Sequence, residues 1–331
     1  MAGPSLPAPV DLLHASQISS KHDLQLLARG GQIPPARPAT LDREVVPTRL
    51  LKSSAKASFD PNVALDYGAP IDPSLHGMSP QWSTLYGTDL WDDLDPARQA
   101  ELTRHEFASI SGVGIWFEMI LMQLVLRDVY DDDPSQPHVQ FALTEIGDEC
   151  RHSVMFARMA AAYGCPAYGP SPRGRRLGRL FKTIGHGPAA YAAILVAEEV
   201  LDILQRDLIT DERVQPLSRE VSRIHVIEEA RHMRFAREEL ARRAPQLSAS
   251  ERRRHRAVIA VVAEVIVSNL VHPDVYAAVG LDPRVARAAA ASNEHYAEQL
   301  RSSARGLVRF LDDLGLIGGL SARRWRRIHL L

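Results

Sequence analysis

An all-α fold is predicted by three features of the sequence. Apolar residues recur at the three-to-four spacing of helices over long segments. Helix caps and prolines bound those segments, and alternating runs rich in Val, Ile and Thr are absent. The chain has 331 residues, 45% apolar and 24% charged, enough to bury a sizeable core.

Residues 1 to about 80 are rich in Pro, Ser and Gly, and are expected to form a partly ordered extension with a short helix near Leu24 to Ala28. At Asp95-Pro96 the texture changes, with Asp95 as N-cap and Pro96 at the first helical position. A long helix to about Val129 follows, ended by Asp131-Asp132-Asp133-Pro134. A second helix is expected from about Gln136 to Tyr163. Residues 164–187, rich in Pro, Gly and Arg, are expected to form a loop. Further helices are expected over Pro188 to Ile209, Pro216 to Arg243, from Ser248 or Ser250 to about Val271, and over Pro283 to Leu314, stopping at Gly315. The organisation is thus an extension (1–80), a helical domain (81–318) and a basic tail (319–331).

A net charge of −1 gives no general pull toward nucleic acid. The only cysteines, Cys150 and Cys165, exclude a disulfide framework and a thiolate-rich metal motif. Any metal site must therefore use carboxylates and imidazoles. The N-terminus lacks a basic and then apolar leader. The apolar run Ala257 to Val271 contains Glu264 and falls short of the about 20 residues a membrane span needs. A cytoplasmic protein without a membrane or nucleic-acid partner is expected.

Two segments resemble each other: Asp148-Glu149-Cys150-Arg151-His152 and Glu228-Glu229-Ala230-Arg231-His232. Each places Glu and His three apart, on one helix face, where a carboxylate and an imidazole can grip one ion. One such pair is weak evidence, since charged helix segments are usually solvated. The context strengthens it. Glu118 stands 31 residues before Glu149 in an apolar run, and Glu198 stands 31 before Glu229 in another. The second set follows the first by 80 residues throughout, the mark of a duplicated helix pair. One Glu from each of two helices and Glu-x-x-His from two others is the di-metal site of ferritin-like bundles. Four glutamates would balance two Fe²⁺ ions. O and N donors without thiolate favour iron or manganese, a mixed pair included, over structural zinc.

His225 lies on the same stripe as Glu229 and His232 and is a seventh candidate. Its counterpart in the first half is Glu145, read as structural because a fifth carboxylate would unbalance the charge. Asp148 and Glu228 are expected to accept the ring N–H groups of the ligand histidines, with Arg151 and Arg231 paired to them. Of Glu198 and Glu199, one should face away. The His-x-x-x-Glu-x-x-His order does not match a zincin protease.

At Glu118, Asp148-Glu149-x-x-His152, Val196-Ala197-Glu198 and His225-x-x-x-Glu229-x-x-His232, over residues 80 to 315, the chain resembles the p-aminobenzoate N-oxygenase family of di-iron enzymes. His225 discriminates most, because other ferritin-like oxygenases usually lack it. The resemblance implies a helical-bundle core, a homodimer, and seven iron ligands at these positions. It also implies activation of O₂ by reduced iron and transfer of oxygen to an aryl amine, giving hydroxylamine and then nitro products. One iron would take Glu118, Glu149 and His152, and the other Glu198, His225, Glu229 and His232, with Glu149 or Glu229 bridging. Electrons would come from an external donor. The substrate is less defined. Ile110, Ser111 and Gly114 lie one to two turns before Glu118 and are small or apolar, and Arg301 or Arg305 could anchor a carboxylate. Other oxidations of a small or carrier-bound substrate, and iron storage or sensing, stay open as alternatives.

Overall fold

The computed structural model describes residues 42–331, which contain helices and no strand. The longer helices are α1 (Val45–Ser54), α2 (Pro96–Asp128), α3 (Pro137–Ala162), α4 (Pro172–Ile184), α5 (Gly187–Ile209), α6 (Pro216–Arg243), α7 (Ala249–Val267), α8 (Pro283–Ala291) and α9 (Glu294–Asp313). Their starts follow the sequence chemistry. Pro occupies the first turn of α2, α3, α5 and α6, where its missing N–H costs nothing. The Asp95 side chain accepts from Arg98 N, and Ser248 with Glu251 forms a capping box.

The core is a four-helix bundle of the ferritin-like kind. α2 and α3 pack as one hairpin and α5 and α6 as another, joined by α3 against α6 and α2 against α5. α5 is apolar on every side over Ala189 to Ala197 because α7 and α9 cover the face that α6 leaves free. These added helices enlarge the bundle and turn α5 into its centre. Among the described residues α2 alone is long and apolar enough to cross a membrane, and its inward face, with Glu106 and Glu118, is buried in the bundle.

Several segments differ from expectation. Within 164–187, expected as a loop, α4 forms, capped by Ser171 accepting from Gly174 N. Its Arg-rich face points outward, and Gly178 lets it approach α2 so closely that a Cβ there would overlap the Trp116 ring. Gly178, one of the glycines that suggested a loop, is a close-contact residue inside a helix. The single helix expected over Pro283 to Leu314 breaks at Ser292-Asn293. There the Asn293 side chain accepts from His295 N and Tyr296 N, and its amide donates to the Thr84 and Tyr86 carbonyls at 2.8 and 3.0 Å. Those long-range bonds hold the cap and outweigh helix continuation. Residues after 318 fold back on α7. Trp325 is fully buried, and Arg324 and Arg327 pair with Glu264.

The helix expected near Leu24 to Ala28 lies outside the described residues. From residue 42 the extension is packed: α1 lies across α3 and α6. Arg43 anchors it, donating to Glu239 at 3.0 and 3.1 Å and to Asp132 at 3.1 Å. Arg242 and Arg243 converge on the same carboxylate. Burial opposes the charge on Glu239, but bonds from Arg242 and Arg43 outweigh it and hold the acid at about 2. Its stabilisation is therefore full above the ordinary carboxylate range and is lost as pH falls through that range toward 2. Glu239→Gln should cost on the order of 3 kcal/mol at neutral pH. In urea unfolding across pH, the gap to wild type should begin to shrink below about pH 4.5 and vanish only near about pH 2; a gap that ignores pH would place its origin elsewhere.

Candidate metal centre

The bundle gathers the motif residues in its interior. Glu118 comes from α2, Glu149 and His152 from α3, Glu198 from α5, and His225, Glu229 and His232 from α6, all buried. The two halves interlock. His152 Nδ1 lies 3.3 Å from Glu149 Oε2 and 3.1 Å from Glu229 Oε1. His232 Nδ1 lies 3.0 Å from Glu229 Oε1 and 3.4 Å from Glu149 Oε1. Both histidines thus turn Nδ1 toward the same two carboxylates.

Their outer nitrogens are held crosswise between the halves. His152 Nε2 pairs with Glu228 at 2.8 Å, and His232 Nε2 with Asp148 at 3.2 Å. Each acid serves the histidine of the opposite motif, a detail that spacing within one helix cannot show. Asp148 pairs with Arg151, and Arg231 Nη2 lies 3.5 Å from Asp148 and 3.7 Å from Glu228. The segment before residue 60 completes this layer: Phe59 N donates to Glu228 at 3.0 Å, Arg231 to the Ala57 carbonyl at 2.9 Å, and Arg151 to Ser58 at 3.1 Å. Sequence reasoning missed these partners, which carry no motif.

His225 sits between the two ends. One donor atom each from Glu118, His152 and His225 lies within 4.8 Å of the others, and the same holds for Glu198, His225 and Glu229. Expected with the second-half ligands, it also faces the first-half histidine, ring centroids 4.7 Å apart. Glu199 turns away and pairs with Arg237. Ser153, beside His152, donates to Glu118 Oε2.

The electrostatics of these residues suit bound cations. Burial, reinforced by Glu149, pushes Glu118 up to about 8, and burial with Glu229 pushes Glu198 well above the carboxylate range. Burial pulls His225 down to about 4. It also works against protonation of His152 and His232, but bonds and charges from the surrounding carboxylates win and raise both. Unbalanced carboxylates thus have to recruit protons that a divalent ion would displace. Glu149 Oε1 and Glu229 Oε2 are buried without hydrogen-bond partners, and a metal would satisfy them. The donor set fits two ions.

An apolar pocket opens onto this centre. Phe107, Ile110, Ser111, Gly114, Gln205 and Ile266 line it, and Glu118, Glu198 and His225 form its floor. Ile110, Ser111 and Gly114, picked from the sequence, are therefore brought together. Gln205 was missed, although it lies two turns after Glu198 on the same face of α5. Arg301 is not part of this pocket. It pairs with Glu294 and Glu298 and, with Arg305, lines a separate outward-facing cleft.

The p-aminobenzoate N-oxygenase AurF family model matches residues 40–315. Uncharacterized proteins of Mycobacterium tuberculosis and Mycobacterium bovis are 28% identical over 212 residues, 61% of this chain. The match spans 62% of the length of these relatives. With a helical bundle, buried Glu and His clusters able to hold metal, and a family match over most of its length, the chain belongs to the p-aminobenzoate N-oxygenase AurF family of di-iron oxygenases.

Proposed function

We propose that this protein is an O₂-dependent di-iron N-oxygenase acting on an uncharged aryl amine. The observation that carries the reading is the interlocked Glu and His cluster, with its unsatisfied buried oxygens, at the floor of an apolar pocket. Glu118, Glu149, His152, Glu198, His225, Glu229 and His232 would hold the two ions, which when bound supply the reduction of O₂ and the transfer of one oxygen atom. The first turnover balances as amine, O₂, two electrons from an external donor and two protons giving hydroxylamine and water.

The chain's own residues do the rest. Glu228 and Asp148 fix the two histidine rings so that Nδ1 faces inward. Glu228→Ala should weaken metal binding by roughly 10- to 100-fold, read by equilibrium dialysis; unchanged affinity would remove its orienting role. Phe107 and Ile266 exclude water from the reacting nitrogen. The pocket lining holds no Lys or Arg, so a substrate carboxylate would sit against apolar side chains at a cost of several kcal/mol. Ser111 Oγ and Gln205 Oε1 are buried without partners and can engage a neutral polar substituent. An aryl amine is uncharged at neutral pH and keeps the nitrogen lone pair that accepts oxygen.

We further propose a cytoplasmic homodimer. Met119 and Leu126 on α2 and Leu143 and Val154 on α3 are exposed apolar side chains that a second copy would cover, and a monomer mass in sedimentation would remove that reading. The function itself is tested by loading the protein anaerobically with Fe²⁺, then adding O₂, reductant and a panel of amines. Mass spectrometry should find hydroxylamine and nitro products, more from 4-aminobenzamide than from 4-aminobenzoate. Oxygen on carbon alone would point to hydroxylation, and preference for the acid would overturn the charge rule.

A further inference from the structure

Glu145 lies four residues before Glu149 on α3, the position that His225 holds before Glu229 on α6. It is fully buried, and neither carboxylate oxygen has a hydrogen-bond partner. A structural role would require such partners, because a buried carboxylate left unpaired is costly. The other buried glutamates outside the seven candidate ligands have them: Glu106 binds Thr84, Glu228 receives Phe59 N and His152, and Glu239 holds three arginines. Glu145 instead has one oxygen within 4.8 Å of donor atoms of both Glu149 and His232.

We propose that Glu145 is an eighth metal ligand, binding the ion on the His232 side of the centre. The inference rests on the two-metal reading and replaces the structural role expected for this residue. The duplicated helix pair then gives each end an extra donor from the same register: His225 beside His152 at one end, Glu145 beside His232 at the other. One end is richer in nitrogen and the other in oxygen. The oxygen-rich end suits the harder ion, so a mixed manganese and iron load should place manganese there. The charge argument against a fifth carboxylate assumed two divalent ions; with two Fe³⁺, five carboxylates still leave the centre one charge positive.

The test compares wild type, Glu145→Gln and Glu145→His, each loaded with iron, by metal analysis, equilibrium dialysis and Mössbauer spectroscopy. Glu145→Gln keeps the shape and removes the anionic donor. It should lower the affinity of one of the two ions by roughly 10-fold or more and alter one of the two iron signals while sparing the other. Glu145→His supplies a donor again, so two ions should return with a changed signal at that end. Glu106→Gln, which also removes a buried carboxyl but outside the cluster, should leave both signals as in wild type. If Glu145→Gln binds two ions with wild-type affinity and spectra, the inference is overturned and the two-metal reading stands. Wild-type protein that binds no iron overturns both.

Discussion

Glu229→Ala should reduce bound metal from two ions to less than one per chain. Glu229 is the carboxylate that faces all three histidines: its Oε1 lies 3.0 Å from His232, 3.1 Å from His152 and 3.7 Å from His225. Glu149 reaches only His152 and His232, and from farther away. A donor shared by both ends weakens both when it is removed, so the loss should exceed the roughly 100-fold upper range seen for residues that only orient ligands. Elemental analysis after dialysis reads the result directly. Two ions retained at wild-type affinity would show that Glu229 binds neither.

Gly114→Leu should leave the metals in place and lower kcat/KM by more than about 100-fold, equivalent to a few kcal/mol of lost transition-state binding. Two glycines interrupt the middle of α2, where glycine costs about 1 kcal/mol against alanine. Gly112 has a packing reason, since a Cβ there would overlap the Tyr168 carbonyl. Gly114 has none: a Cβ would meet nothing within 4 Å. It faces the pocket one turn before Glu118, and its missing side chain is the space a substrate would use. A leucine would fill that space without straining the helix, so thermal stability should hold or rise. Full activity in Gly114→Leu would place the substrate elsewhere.

Both expectations begin in features legible in the sequence. The bundle helices announce themselves through caps, prolines and long apolar stripes, and the 80-residue repeat groups the Glu and His residues before any fold is known. Less legible was whatever depends on partners far along the chain. Asn293 breaks a helix because of Thr84 and Tyr86, some 200 residues away. Phe59 reaches Glu228 from a segment whose composition suggested partial order. Glycines on α4 read as breakers until Trp116 lies against one of them. Glu145 was weighed from charge alone, and only the absence of any hydrogen-bond partner in the packed bundle changed its standing. Arg301 shows the reverse case, a plausible anchor by residue type that surface glutamates hold elsewhere.

The central claim is that Glu118, Glu198 and the two Glu-x-x-His motifs, joined by His225, form one centre for two metal ions. Anaerobic titration of metal-free protein with Fe²⁺, followed by elemental analysis, tests it most directly. The account predicts two tightly held ions per chain in wild type and loss of binding when His152 and His232 are both replaced by alanine. No retained iron in wild type, or two ions retained by the double variant, would contradict it.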